Sequence, residues 1–415
     1  MPTFARSLRT VVLAGLLAVP VSGCTLEVST PTVIDASTFD PTADAAALSL
    51  SAQTNLWRAM SAVIHFGGFL SQEVIVGAIR QETNDIGRRV MTAATSDVNT
   101  NLWVPIQRAI ATNELAAEVL KQGAGAASDI NLARAYMNSG FSMVLLGEFF
   151  CQGTFLSGAP MTPAQILETA IDRFTQAIAI GTAVPAANAE GVRVVNASNV
   201  GIARARLQRG ENGPAAAAAA LVPAGFVYNA LAVDDASNRA LGNGVFAYDV
   251  GRLIVVPEAY RNLNDPRVPW QDGGANAQDT QFRWYQQLKY TGYATPMRIA
   301  SGLEASYIAA EAQLKGGNTT AALDLIAARR AANGQAAFGG TTPAEILAEL
   351  MDQRAREFWL EAKKVGDMNR NPTATPYVGV AGAPFYKPAQ GNYGAATCLP
   401  VPLAEVNANP NWPTS

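Results

Sequence analysis

Apolar residues recur along most of this chain at the three-to-four-residue spacing of an amphipathic helix. Over residues 44–70, Leu48, Leu56, Met60, Val63 and Ile64 share one face, which predicts a helix that turns them inward. The same period predicts helices over 100–121, 129–150, 163–180, 196–209, 214–221, 303–314 and 319–332. Pro105 fits only the first turn of its helix, because further in it would remove a backbone donor and clash with the preceding turn. The best-marked stretch is 341–370. Thr341 or Thr342 can cap it, Pro343 suits the first helical position and Glu345 lies in the first turn. Leu347, Met351, Ala355, Phe358, Ala362 and Val365 then form an inward stripe. Arg354, Arg356, Glu357, Glu361, Lys363 and Lys364 read as a solvated face laced with i,i+3 and i,i+4 pairs.

The period fails from Pro223 to Ala300. That region is rich in Asn, Asp and Gly, with islands of Val, Phe and Tyr, and reads as irregular loops with short strands. Residues 379–397 read as loop as well. Ala170, Phe174 and Ala177, followed by Ala203, Ala205, Leu207 and Gly210, have the look of tetratricopeptide-like hairpin pairs, and 303–332 repeats the arrangement around Gly316-Gly317-Asn318. Such pairs bury their faces by stacking on neighbours. A generic helical hairpin fits the periodicity equally well. The expected fold class is mainly α: helical hairpins with a loop-rich, short-strand insertion over about 223–300.

Composition narrows the functions open to such a fold. The 415 residues are 49% hydrophobic, enough for a large core in one domain or two interlocked ones. A net charge of −3, with no basic run, argues against nucleic acid as a partner. The chain has one histidine, His65, so a Ser/His/Asp triad or a histidine-built metal site lacks raw material. His65 lies in an apolar segment and is expected to be a packed residue. The acidic loops leave metal binding open, though none has calcium-loop spacing and no metal ligand is singled out; no cofactor is expected.

The first residues read as an address. Arg6 and Arg9 precede an apolar run over 11–21, too short to span a bilayer with ease. Val21-Ser22-Gly23-Cys24 resembles the bacterial lipobox, which implies a signal peptide over 1–23 and lipidation of Cys24. Residues 24–43 are rich in Thr, Pro and Asp and read as a tether between the membrane and a domain over 44–415. With Cys24 committed to lipid, Cys151 and Cys398 remain. An oxidising compartment favours a disulfide between them, and two buried thiols are the alternative.

Several motifs converge on one family. Arg354, Arg356, Glu357, Phe358, Glu361, Lys364, Gly366, Asp367, Met368 and Arg370 resemble the RxRELxxEGxRxxDLxR segment of the SusD/RagB outer-membrane nutrient-binding lipoproteins, with Ala362 in place of the usual Gly and Met368 in place of Leu. Trp103, Ile106, Ile110, Asn113, Leu115 and Ala117 resemble the family's WxxxYxxIxxAN helix. Arg134, Tyr136, Leu145, Gly147, Glu148 and Phe149 resemble its ARALRAFxYxxLVxxYGDVP segment, without the Pro. Asn264-Asp265-Pro266-Arg267 resembles its NDPR turn, Lys289-Tyr290 its KY strand, and the tail from Leu399 to Asn411 its LPIPxxEIxxNPN ending. The resemblance runs through the chain in the expected order and is weakest in the middle. It implies a non-enzymatic protein, lipid-anchored at the outer membrane and facing the cell exterior. Such a protein captures nutrients, most often oligosaccharides, and passes them to a SusC-like TonB-dependent transporter.

Sugar capture needs aromatic faces and polar groups that fix hydroxyls. The candidates are aromatic residues in the loop-rich parts. Trp270, flanked by Gln271 and Asp272 in a Pro/Asp/Gly-rich segment expected to be exposed, is the foremost. Trp284, Tyr285 and Tyr386 are the others, with Tyr290, Tyr293 and Tyr393 nearby, while Trp103 and Trp359 belong to expected core helices. A glycosidase would need two carboxylates roughly 5–10 Å apart. Asp234-Asp235, or Asp265 with Asp272, could supply them, although adjacent acids in an Asn/Gly loop are commonly solvated turn formers. A cell-envelope helical-repeat scaffold that binds protein is a further alternative.

Overall fold

The computed structural model describes residue 40 and residues 43–413. The expected signal peptide, Cys24 and most of the expected tether lie outside the described residues. The α-helices of four or more residues, in chain order, are α1 (Ala45–Ser71), α2 (Gln81–Arg88), α3 (Val104–Leu120), α4 (Ile130–Phe149), α5 (Pro163–Ala183), α6 (Glu190–Gln208), α7 (Asn212–Ala219), α8 (Gly244–Val250), α9 (Glu258–Arg261), α10 (Gly302–Lys315), α11 (Thr320–Ala332), α12 (Pro343–Glu357), α13 (Lys364–Arg370) and α14 (Leu403–Ala408). A π-helical turn over Asn99–Trp103 leads into α3, and Pro105 stands in that helix's first turn. The strands are β1 (Ile75–Val76), β2 (Val227–Ala230), β3 (Ile254–Val255), β4 (Trp270–Asn276), β5 (Arg283–Gln287) and β6 (Met297–Ser301). They pair antiparallel in twos: β1 with β3, β2 with β6, and β4 with β5.

The long helices stack in sequence. α1 packs on α3 and α4, α4 on α5, α5 on α6, α6 on α7, and α7 on α10. Each predicted inward residue of α1 is buried, as are Phe174 of α5 and Ala203, Ala205 and Leu207 of α6. Phe174 explains two glycines. A Cβ on Gly140 of α4 would come within 2.7 Å of its ring, and one on Gly201 of α6 within 2.2 Å. The three helices approach as closely as they do because both positions lack a side chain. A smaller core joins Tyr307 and Leu314 of α10 to Ile326 of α11 and to Ile346, Leu350 and Met351 of α12.

The 341–370 stretch departs from expectation. It begins as predicted, with Thr342 and Glu345 forming a reciprocal cap. The helix then stops at Glu357 and restarts at Lys364. Between them Leu360 (φ 54°) and Ala362 (φ 56°) adopt the left-handed conformation. Glycine enters that region freely and alanine does so at a cost. The turn is held by Glu73, whose carbonyl accepts from Trp359 Nε1 at 2.9 Å and whose Oε1 accepts from the Leu360 N–H at 2.9 Å.

The expected solvated face is a second correction, because Arg354, Glu361, Lys363 and Lys364 are all buried. Each has partners, the condition under which charges tolerate burial. Glu361 accepts from Lys289 Nζ at 2.6 Å and from Arg298 at 2.9 and 2.7 Å. Lys363 Nζ lies 2.8 Å from Glu304. Lys364 Nζ donates to the Ser71 carbonyl at 2.9 Å and the Tyr260 hydroxyl at 3.0 Å. Leu347, placed on the inward stripe by periodicity, is only half-buried, and Ile346 and Leu350 fill the core instead.

Cys151, just after α4, forms a disulfide with Cys398, with Cα atoms 5.1 Å apart. The neighbouring Phe150 and Leu399 form a parallel bridge, so the C-terminal segment is tied to the end of α4. His65 is buried and stacks on Tyr248 at 3.9 Å. Burial lowers its pKa to about 3, so the ring is neutral.

Candidate functional site

A cleft lined by aromatic rings forms where three distant parts of the chain meet. α1 ends at Gln72, in the left-handed conformation (φ 60°), and its side-chain oxygen accepts the Gly379 N–H at 2.9 Å. That bond ties the C-terminal loop to the end of α1. Val256, just beyond β3, donates its N–H to the Tyr285 carbonyl of β5 at 2.9 Å, which holds the β3 and β5 sides of the second part together. The Tyr386 hydroxyl accepts the Val76 N–H at 2.6 Å and locks the loop against β1.

The result is a cavity of about 360 Å³, open to solvent. Its aromatic walls are Phe282, Tyr285, Tyr386 and Tyr393, and Gln72, Glu258, Arg261 and Arg283 bring polar groups. Phe282 and Tyr386 meet edge to face at 5.6 Å. Burial pushes the phenols of Tyr386 and Tyr393 upward, so both stay neutral and can donate and accept at ordinary pH. The Arg261 guanidinium lies 3.5 Å from the Tyr285 ring centroid and 5.6 Å from that of Trp270. Apolar ring surface beside neutral hydrogen-bonding groups suits a ligand with both apolar faces and hydroxyls.

Of the residues singled out from sequence, Tyr285, Tyr386 and Tyr393 line this cleft. Trp270 does not. It opens strand β4 rather than standing in an exposed loop, is half-buried, and meets Tyr285 edge-on at 5.7 Å, so it buttresses the wall. The Pro/Asp/Gly composition around it reads as an exposed loop, but the cross-strand pairing of Trp270 with Gln287 draws it into a hairpin. Gln271 is exposed and bonds Gln286 across the strands at 2.7 Å. Asp272 is exposed and holds Arg283 through two bonds of 2.7 and 3.0 Å. Trp284 donates from Nε1 to Asp249 at 3.2 Å. Tyr290 is buried, with its hydroxyl donating to the Leu360 carbonyl at 2.7 Å, and Tyr293 lies under Arg239.

Gln72, Phe282, Arg261 and Arg283 escaped the sequence reading. Gln72 and Arg261 sit at the ends of helices, where no period marks a side chain as facing a cleft. The carboxylates considered for a glycosidase are committed elsewhere. Asp265 is buried against Arg267 at 2.9 and 2.7 Å, Asp234 pairs with Arg239, and Asp235 bonds Ser237. Among the described residues, no group of three His, Cys, Asp or Glu side chains could hold a metal ion, and no helix is long and apolar enough to cross a membrane.

Comparison with known proteins gives a consistent picture. Residues 277–412 match the SusD family. The fold resembles a SusD-like carbohydrate-binding protein from Bacteroides vulgatus, with a TM-score of 0.69 and 13% identity over 90% of this chain and 97% of that one. It resembles surface glycan-binding protein A from Bacteroides thetaiotaomicron, solved in complex with laminarihexaose, with a TM-score of 0.66 and 13% identity over 89% and 98%. Surface glycan-binding protein A from Bacteroides uniformis gives 0.64 and 14% over 88% and 98%. No curated protein matches the sequence.

Proposed function

We propose, from the premise that this chain belongs to the SusD family, that it binds oligosaccharides without cleaving them and passes them to a SusC-like TonB-dependent transporter. Lipid on Cys24 would hold it to the outer membrane, facing outward. The cleft lined by Phe282, Tyr285, Tyr386 and Tyr393 carries this reading, because it joins aromatic surface to neutral and charged hydrogen-bonding groups in an open cavity. Its aromatic walls suit sugar rings, and its Gln and Tyr groups suit their hydroxyls. Open access suits a ligand longer than the cavity. The glycan-binding relative complexed with laminarihexaose supports the ligand class.

Calorimetric titration of the full-length chain against a panel of oligosaccharides, with the sugars examined afterwards for cleavage, tests the proposal. Saturable binding of an intact glycan is expected, about tenfold weaker in Phe282→Ala. Cleaved glycan, or no binding across the panel, contradicts it.

A further inference from the structure

Two hydrogen-bond donors facing this cleft lack acceptors. The Arg261 side chain makes no hydrogen bond or ion pair among the described residues, and its Nε is shut off from solvent without a partner. Gln72 is buried, and its amide orientation is fixed because Oε1 accepts the Gly379 N–H. Its Nε2 meets the Tyr393 phenol, and the second N–H of that amide has no acceptor. Desolvated donors without acceptors are costly unless something else supplies the acceptor.

The charges around the cleft sharpen the point. Two cations line it, and Arg283 is already neutralised by Asp272. Glu258 sits one turn before Arg261, exposed at the rim, and accepts only a long bond from Asn262 at 3.5 Å. It is not within ion-pair distance of Arg261. The guanidinium is nonetheless held in place: it lies over Tyr285 at 3.5 Å, with Trp270 beside it, and its two terminal nitrogens have no hydrogen-bond partner among the described residues. A stacked guanidinium presents a fork that matches a planar carboxylate through two parallel bonds.

We infer that the cleft selects an acidic saccharide, with Arg261 receiving the carboxylate of a uronate residue and Gln72 Nε2 supplying a further donor. The inference rests on the oligosaccharide-binding function proposed above and adds the charge of the ligand. Arg261 would be a specificity-determining residue. Trp270 and Tyr285 would hold its plane.

The test uses the full-length chain and matched pairs of oligosaccharides: neutral gluco-, manno- and galacto-oligosaccharides, and the same backbones oxidised to the carboxylate at C6. For the backbone that binds, the carboxylate form should bind about 10- to 100-fold more tightly than the neutral form at low salt. The advantage should shrink as salt rises. Arg261→Gln should abolish the preference for the carboxylate form over the neutral one, and Arg261→Lys should restore only part of that preference, because it returns charge without the fork. Unchanged unfolding of both variants would exclude loss of fold as the cause. Equal affinity for neutral and carboxylate forms overturns the inference and leaves oligosaccharide binding standing. A sulfated backbone that gains as much as the carboxylate overturns the assignment to uronate. Absence of binding to every pair overturns both the inference and the function beneath it.

Discussion

Arg354 Nε donates to both carboxylate oxygens of Asp367, at 2.9 and 2.8 Å, across the turn that separates α12 from α13. Both side chains are buried, and Asp367 also accepts from Arg370 at 2.8 Å. Arg370 reaches on to Glu311 of α10 at 2.6 and 2.7 Å. The pair joins the two short helices to the scaffold. Removing one member leaves a buried charge uncompensated, which is costlier than the pair is stabilising. Asp367→Ala should lower stability by about 3–5 kcal/mol in denaturant unfolding. A change under about 1 kcal/mol would show the network to be dispensable.

The Cys151–Cys398 disulfide, with a sequence separation of 247, closes most of the described chain into one loop. On the loop-entropy model a bond of that span stabilises by about 5 kcal/mol. Thermal unfolding should shift to clearly lower temperature on reduction, and the Cys151→Ser, Cys398→Ser double variant should match the reduced protein. Unfolding indifferent to reductant would mean that the thiols are not joined in solution.

Asp249 gives a pH signature. Burial pushes its carboxyl up to about 7, while hydrogen bonds from Trp284 and Gln287 pull the other way. An unfolded aspartate titrates near about 4. Below that pH both states hold the proton. Between about 4 and 7 the unfolded chain has released it and the folded chain has not, so this group makes stability fall as pH rises, by at most about 1.4 kcal/mol per pH unit. Above about 7 its contribution is flat. The stability difference between wild type and Asp249→Asn, measured from pH 4 to 8, should move against the wild type up to about pH 7 and then level off. A difference that does not vary with pH would place the Asp249 pKa near its ordinary value.

The helical scaffold was legible in the sequence because it depends on local period and local caps. Asp129 caps α4 by accepting the Asn131 N–H at 2.8 Å, and Thr162 caps α5 with Gln165 in return. The break after Glu357 was not legible. Alternating charges at i,i+4 look the same whether they face water or a buried network, and the partners Glu73, Lys289 and Glu304 lie far away in sequence. The cleft was half legible. Aromatic residues in the loop-rich regions flagged Tyr285, Tyr386 and Tyr393, but Gln72 and Arg261 meet them only through folding. Trp270 was drawn into a strand by pairing that composition does not encode.

Gly201 tests the close approach of α5 and α6. Its missing side chain makes room for Phe174, which an added Cβ would meet at 2.2 Å. Gly201→Ala should destabilise by about 1–3 kcal/mol through overpacking. Combined with Phe174→Leu it should cost less than the sum of the single changes, because one relieves the other. Strict additivity in denaturant unfolding would mean that the helices do not pack through this contact.

The most direct test of the central claim is hydrogen exchange of the full-length chain with and without a saturating oligosaccharide. Protection should appear together in three separate segments: the end of α1 through β1, residues 256–285, and residues 386–393. Protection confined to another surface, such as the groove formed by Leu50, Trp57 and Leu231, would contradict the assignment of the ligand to this cleft.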